Sequence, residues 1–280
     1  MTPVAVLGID SGNTKTAAVC CTPDGRVVAW HRVGSSNYQT LGTDRACEAL
    51  CDAALPVAQA ARAEGLTIGA FGIGLNGLDR DKDLAVLQPL VTRVVERVAG
   101  VAPVAADAPR VLRNDAFLVL RAGTDDGVGI AVSSGSGGNC VGVAPDGRRL
   151  QVGGLTAELG DGGGAGHIAL AALHAAGLAR DGRGWHTSFS DKVVGLLGLS
   201  SIEDIVDFTI PGQGPGDATT DGPPQVGLLA PLVFQSAAEG DLVCRRILAD
   251  LGRDLGRAAH IAAFRLGFPP DDPVPLILGG

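Results

Sequence analysis

The chain has 280 residues, 46% hydrophobic and 19% charged, so it can bury a substantial core and lacks the composition of a disordered segment. Thirty acidic side chains against 22 basic ones leave a formal charge of −8, which disfavours nonspecific attraction to nucleic acid or to an anionic membrane surface. No basic segment precedes an apolar stretch near Met1, and no apolar run reaches the ~18 residues of a membrane span, so a cytoplasmic protein of one large or two ordinary domains is expected.

The first elements form a meander. Val4 to Ile9 is a short apolar run, Asp10 to Thr14 is rich in turn formers, and Thr16 to Cys21 is apolar again before the turn Thr22-Pro23-Asp24-Gly25. Val27 to Val33 supplies a third strand. Thr43 to Ala63 places Ala, Leu and Val at helical spacing behind a plausible N-cap at Thr43 or Asp44. Thr67 to Ile73 reads as a fourth strand, Lys82 to Val98 as an amphipathic helix, and Ala102 to Ala106 as a short fifth strand. The pattern is β-β-β-α-β-α-β.

A second meander follows, over Gly127 to Ser133, Asn139 to Val143 and Arg148 to Val152. Pro23-Asp24-Gly25-Arg26 and Pro145-Asp146-Gly147-Arg148 are the same tetrapeptide, each after the second strand of its meander. That repetition points to an internal duplication, with two similar domains facing each other. Ala165 to Ala176, Lys192 to Leu197 and Gln225 to Leu266 read as mostly helical, the last broken near Gly240, and Val274 to Leu278 as a closing strand. Pro211 to Pro224 reads as a surface loop.

The chain has 42 glycines, about twice the usual ~7%. Two clusters stand out. In Asp10-Ser11-Gly12-Asn13-Thr14-Lys15-Thr16, small residues let backbone N–H groups approach phosphate oxygens while an acidic residue can hold hydrated Mg²⁺. A plain hairpin turn is the competing reading. Ser133-Ser134-Gly135-Ser136-Gly137-Gly138-Asn139 occupies the equivalent hairpin of the second meander, and two such loops can grip one nucleotide. Between them, Asp115 follows the strand-like Val111-Leu112 and opens the apolar helix Ala116 to Leu120. It could cap that helix, or its carboxylate could accept a proton from an alcohol attacking phosphorus.

Cys20, Cys21, Cys47, Cys51, Cys140 and Cys244 match no zinc, iron–sulfur or small disulfide spacing and read as buried thiols. His167, His174 and His186 form no convincing metal spacing either.

The run Gly8 to Thr16 resembles the first phosphate motif of the BadF/BadG/BcrA/BcrD ATPases and the N-acetylglucosamine kinases. Ser134 to Asn139 is similar to the second phosphate motif of the kinase branch. Gly153-Gly154 with Leu159 to Gly164 resembles its sugar-binding segment, and Leu276-Ile277-Leu278-Gly279-Gly280 resembles the start of its adenosine motif. The resemblance implies an α/β fold of two duplicated ribonuclease H-like domains of the actin-like ATPase type, facing a cleft. These would span residues 1–114 and 115–280, the second with a helical insertion and without the family's C-terminal segment.

The same resemblance implies an ATP- and Mg²⁺-dependent kinase that phosphorylates a hydroxyl, the 6-OH, of N-acetylglucosamine or a related amino sugar. Asp115 would be the base and Asp10 would act on Mg²⁺ through water. Gly12, Asn13, Thr14, Lys15, Gly135, Ser136, Gly137, Gly279 and Gly280 would contact ATP. Asn37, Asn76, Gly77, Asp115, Gly138, Asn139, Gly154, Leu155, Thr156 and Asp161 would line the sugar site. Leu155 stands where the family often has tryptophan. The expected partner is the small-molecule sugar, with no nucleic acid or membrane, and a homodimer is allowed. Two other readings stay open: an acyl-CoA dehydratase activator ATPase, which needs paired cysteines for an iron–sulfur cluster, and a non-catalytic sugar sensor.

Overall fold

The structure is a computed structural model that describes residues 3–156, 159–209 and 226–280. The expected loop over residues 211–224 lies outside these. Contacts divide the chain into two compact units, Met1–Gly127 and Val128–Gly280. The boundary falls at 127, not at the expected 114, because the helix after Asp115 packs back onto the strands of the first unit.

In the first unit, β1 (Val4–Ser11), β2 (Thr16–Cys21) and β3 (Val27–Val33) form an antiparallel meander. Then come α1 (Tyr38–Leu41), α2 (Thr43–Ala63), β4 (Thr67–Leu75), α3 (Asp81–Val101), β5 (Arg110–Asn114) and α4 (Ala116–Gly123). The sheet order is β3-β2-β1-β4-β5, with β4 parallel to both β1 and β5. The expected fifth strand at Ala102 to Ala106 contributes a single bridge, Ile68 to Val104. Pro103 stands inside it and Pro109 just beyond it, and proline cannot donate to a ladder, so regular pairing starts only at Arg110.

The core of this unit lies between the sheet and α2 and α3. Helix α2 buries Ala46, Ala53, Ala54, Ala58 and Ala61 together with Leu50 and Val57, and its small residues let it lie close to the strands. Each fully buried Leu or Val side chain contributes about 1.5–3 kcal/mol relative to exposure.

In the second unit, β6 (Gly129–Ser134), β7 (Gly138–Val143) and β8 (Arg149–Gly153) repeat the antiparallel meander. Strand β9 (Leu276–Gly279) runs parallel to β6, giving the order β8-β7-β6-β9. Among the described residues, four α-helices lie between: α5 (Ala165–Arg180), α6 (Phe189–Leu197), α7 (Ile205–Thr209) and α8 (Ala230–Ala238). Helix α9 (Leu242–Leu266) follows the break at Gly240, whose φ of 108° suits only glycine. Asp241 caps α9 by accepting from the Cys244 N–H at 2.9 Å. The long helical stretch read from sequence is therefore two helices, broken where expected.

All six cysteines are free, and five of them are buried, with Cys21 partly so. Burial pushes the Cys20, Cys51 and Cys140 thiols up to about 11, which leaves them protonated and inert. Among the described residues, no single helix is long and apolar enough to cross a membrane.

Candidate active site

Three loops at one end of the first sheet, together with Asn37 on the loop between β3 and α1, carry the candidate residues of that unit. The β1–β2 hairpin holds Gly12, Asn13, Thr14 and Lys15, of which the last three are exposed. Asp10 lies at the end of β1, the Asn76-Gly77 pair follows β4, and Asp115 sits between β5 and α4. Since β1, β4 and β5 are parallel neighbours, their C-terminal ends emerge side by side.

Asp115 is held by its backbone surroundings. It caps α4, its carboxylate accepting from the Ala116 N–H at 3.0 Å, while the preceding Asn114 accepts from the same N–H at 2.9 Å. Asn114 also donates to Asp79 at 2.9 Å. Helix α4 can lie flat on β4 because position 74 is glycine: a Cβ there would strike the Leu118 side chain and approach the Asp115 Cα to 3.2 Å. The cap and the base readings of Asp115 are thus compatible, since one carboxylate oxygen meets the helix and the residue is only half-buried.

Burial pushes the Asp115 carboxyl up to about 6, and the neighbouring Asp10 charge pushes the same way. The Asn76 side chain and the Ala116 N–H oppose this by stabilising the anion, and Asp79 adds a smaller upward push. Asp10 is itself raised, by the desolvation of its carboxyl inside the hairpin, against the lowering pull of Lys15, although the residue as a whole remains exposed. A carboxyl raised to about 6 by burial and by a like charge is a candidate for proton transfer near neutral pH.

Asn37 is buried and caps α1, accepting from the Gln39 N–H at 2.8 Å. Its amide nitrogen donates to the Asn13 side chain, which joins the β1–β2 hairpin to the loop between β3 and α1. Gly77, at φ 76°, packs where a Cβ would lie 3.1 Å from the Tyr38 ring. The Tyr38 hydroxyl donates at 2.9 Å to Asp83, which is buried and also takes the Arg80 guanidinium at 2.7 and 2.9 Å. Arg80 foremost, and then Tyr38, hold the Asp83 carboxyl down at about 2.

In the second unit the β6–β7 hairpin, Gly135 to Gly137, closes through Gly135 N–H to Gly137 O at 3.0 Å. It seats backbone to backbone on the segment before α5. Ala165 N–H donates to Gly135 O at 2.8 Å, the Ser134 hydroxyl donates to Gly163 O, and a Cβ on Gly138 would run into the Gly162 carbonyl. Ser136 is exposed on this hairpin, and Asn139 pairs with Gly153 and with Ser133 inside the sheet. Asp161 turns back to accept from the Leu155 N–H and so ties down the loop containing Gly154, Leu155 and Thr156. Gly279 pairs with Ser133, and Gly280 lies against the Ser134 carbonyl. Leu155 is half-exposed.

Sequence reasoning missed Ser36, Tyr38, Arg80, Asp83 and Asn114, the polar residues that tie these loops to one another. One local signal was available: Asp83 stands three residues after Arg80 at the start of α3, where its side chain accepts from the Arg80 N–H at 2.8 Å.

This arrangement defines a class: a mixed α/β protein with two sheets, each carrying a Gly- and hydroxyl-rich hairpin between its first two meander strands. A solved structure from Chromobacterium violaceum, named as a candidate N-acetylglucosamine kinase, shares the fold at TM-score 0.68 and 24% identity, covering 100% of this chain and 88% of the other. Residues 7–280 match the BadF/BadG/BcrA/BcrD ATPase family, and the chain belongs to that family. It is 27% identical to the N-acetyl-D-glucosamine kinase of Dictyostelium discoideum over 98% of this chain and 84% of the relative. It is 28% identical to the N-acetylmuramic acid/N-acetylglucosamine kinase of Clostridium acetobutylicum over 89% of this chain and 76% of the relative.

Proposed function

We propose that this protein is a cytoplasmic ATP-dependent sugar kinase that transfers the γ-phosphoryl group to a hydroxyl, the 6-OH, of N-acetylglucosamine or a related amino sugar. The observation that carries this reading is Asp115: a half-buried carboxyl pushed up to about 6, beside Asp10 and hydrogen-bonded by the Asn76 side chain, whose own backbone N–H donates to Ser11 O of the β1–β2 hairpin. The names of both curated relatives support the substrate class. The matching strand orders β3-β2-β1-β4 and β8-β7-β6-β9 support two copies of one ribonuclease H-like unit, as the repeated Pro-Asp-Gly-Arg suggests.

In this mechanism Asp115, ionised, accepts the proton of the attacking sugar hydroxyl. The Asn76 amide and the Ala116 N–H orient the carboxylate. Backbone N–H groups of Gly12 to Lys15, with the Thr14 hydroxyl and the Lys15 ammonium, bind phosphate oxygens; Gly135, Ser136 and Gly137 offer a second such hairpin, and Gly279 and Gly280 reach the adenosine. Asn37, Gly77, Gly138, Asn139, Gly154, Leu155, Thr156 and Asp161 meet the sugar. Among the described residues, no three His, Cys, Asp or Glu side chains gather into a protein-only metal cage. Mg²⁺ is usually held by one or two carboxylates together with substrate phosphates, and the Asp10 carboxylate at the end of β1 beside the hairpin is such an oxygen donor, so Asp10 would hold the ion through water and the ion would neutralise developing charge. The dehydratase-activator alternative asks for a cysteine pair that can ligate a cluster, whereas five of these six thiols are buried.

The test is ADP release with Mg·ATP over N-acetylglucosamine, glucosamine, N-acetylmuramic acid and glucose. An N-acetylated amino sugar should give the largest sugar-dependent rate. Sugar-independent turnover, or none with any of the four, overturns the proposal.

A further inference from the structure

Four buried polar side chains of the first unit lie on just two segments: Ser11 and Thr16 on the phosphate hairpin, Ser36 and Asn37 on the loop between β3 and α1. The Thr16 hydroxyl donates to Ser36 Oγ at 2.6 Å, and the Ser36 hydroxyl donates to Ser11 Oγ at 2.8 Å. Ser11 and Thr16 are cross-strand partners, so Ser36 bonds both strands of the hairpin at the position where its loop begins. The Ser36 N–H and the Ser35 hydroxyl both donate to Gly12 O at 3.4 Å, and Asn37 donates to Asn13. Each residue from Ser35 to Asn37 is thereby clasped to the hairpin.

A hydroxyl has one proton, so a Ser36 that receives from Thr16 and gives to Ser11 has committed its donor. With Ser11, Thr16 and Ser36 each at most 4% exposed, water cannot stand in for a broken link. A change in the hairpin when phosphate meets Gly12 to Lys15 therefore carries to Ser36 and on to Asn37, one residue away. We infer that Ser36 is a positioning residue that couples occupancy of the phosphate hairpin to sugar affinity at Asn37, touching neither ligand itself. This rests on the kinase reading above, which assigns phosphate to the hairpin and sugar to Asn37.

The experiment is calorimetric titration of the full chain with N-acetylglucosamine, alone and with saturating Mg²⁺ and a non-hydrolysable ATP analogue. The ratio of the two Kd values is the coupling, and couplings between sites commonly run from about 5-fold to 150-fold. The unsubstituted protein should show a ratio of at least about fivefold, and Ser36→Ala should bring it below about twofold while each ligand alone still binds within about tenfold. Thr16→Val should do the same, and Thr16→Ser, which keeps the donor, should restore the ratio. If Ser36→Ala does not fold, the Thr16 pair decides. An unchanged ratio in Ser36→Ala or Thr16→Val, or a ratio of one in the unsubstituted protein, overturns the coupling alone. Failure of the unsubstituted protein to bind sugar in either condition overturns the kinase reading and the coupling with it.

Discussion

Burial raises the pKa of Asp115 to about 6, and the Asp10 carboxylate at the end of β1, across the intervening strand β4, pushes the same way. The contacts that stabilise its anion are neutral donors, the Asn76 side chain and the Ala116 N–H. The proposed base is therefore a carboxyl that titrates close to neutral pH and is costly to ionise in the folded chain.

Replacing Asp115 with Asn should lower kcat by about 10²- to 10⁴-fold, the usual contribution of general base catalysis, while the sugar Kd stays within about tenfold. Stopped-time product analysis with parallel binding titrations checks this. Near-normal turnover would remove Asp115 from the chemistry.

The same substitution should stabilise the protein. A carboxyl whose folded pKa is raised favours the protonated fold, so its contribution falls as pH rises from about 4 to about 6 and is fully lost above that. At pH 7.5, Asp115→Asn should therefore gain about 1–2 kcal/mol in urea unfolding, discounted for the partial exposure of the site. A destabilised Asn variant contradicts the raised pKa.

The pH profile of kcat/KM should rise through an apparent pKa near 6 and level off above it, because protonated Asp115 cannot accept the hydroxyl proton. Asp10→Asn removes the like charge, so the apparent pKa should move to lower pH. Asp10→Ala should also raise the Mg²⁺ concentration needed for half-maximal rate, at least about tenfold if it holds the ion through water. An unchanged metal titration excludes that role.

Asp83 works in the opposite direction. Arg80 and Tyr38 hold its carboxyl at about 2, so the stability it supplies is present above about pH 4 and is lost as pH falls from there to about 2. Asp83→Asn should cost about 1–3 kcal/mol at pH 7, through weakened bonds to a charged partner, and should flatten the acid limb of the stability curve. Urea midpoints measured from pH 2 to 7 decide it.

Gly138→Ala should destabilise by about 1–3 kcal/mol, because the new methyl group meets the Gly162 backbone carbonyl and a strand must move to admit it. The same change at Gly100 meets open space and should be neutral or stabilising, since that residue lies within a helix. Thermal unfolding of the pair separates a steric effect from a general one.

Much of this was readable from residues alone. Alternating and helical apolar spacing located both meanders, α2, α3 and the break at Gly240, because these patterns report which face of an element is buried. The two Gly-rich hairpins were visible for the same local reason: turn chemistry lies within a few consecutive residues. The fifth strand was misplaced because Ala102 to Ala106 is apolar enough to pair, and only Pro103 within it and Pro109 after it, weighed against a sheet position, forbid a ladder. What only the tertiary structure decided were the relations between segments distant in the chain: Asp10 beside Asp115, Asn13 bonded to Asn37, Ser36 between Ser11 and Thr16, and Asp83 under Tyr38. These depend on strand order β3-β2-β1-β4-β5 and on side-chain direction, and no local pattern encodes which two loops a sheet will bring together.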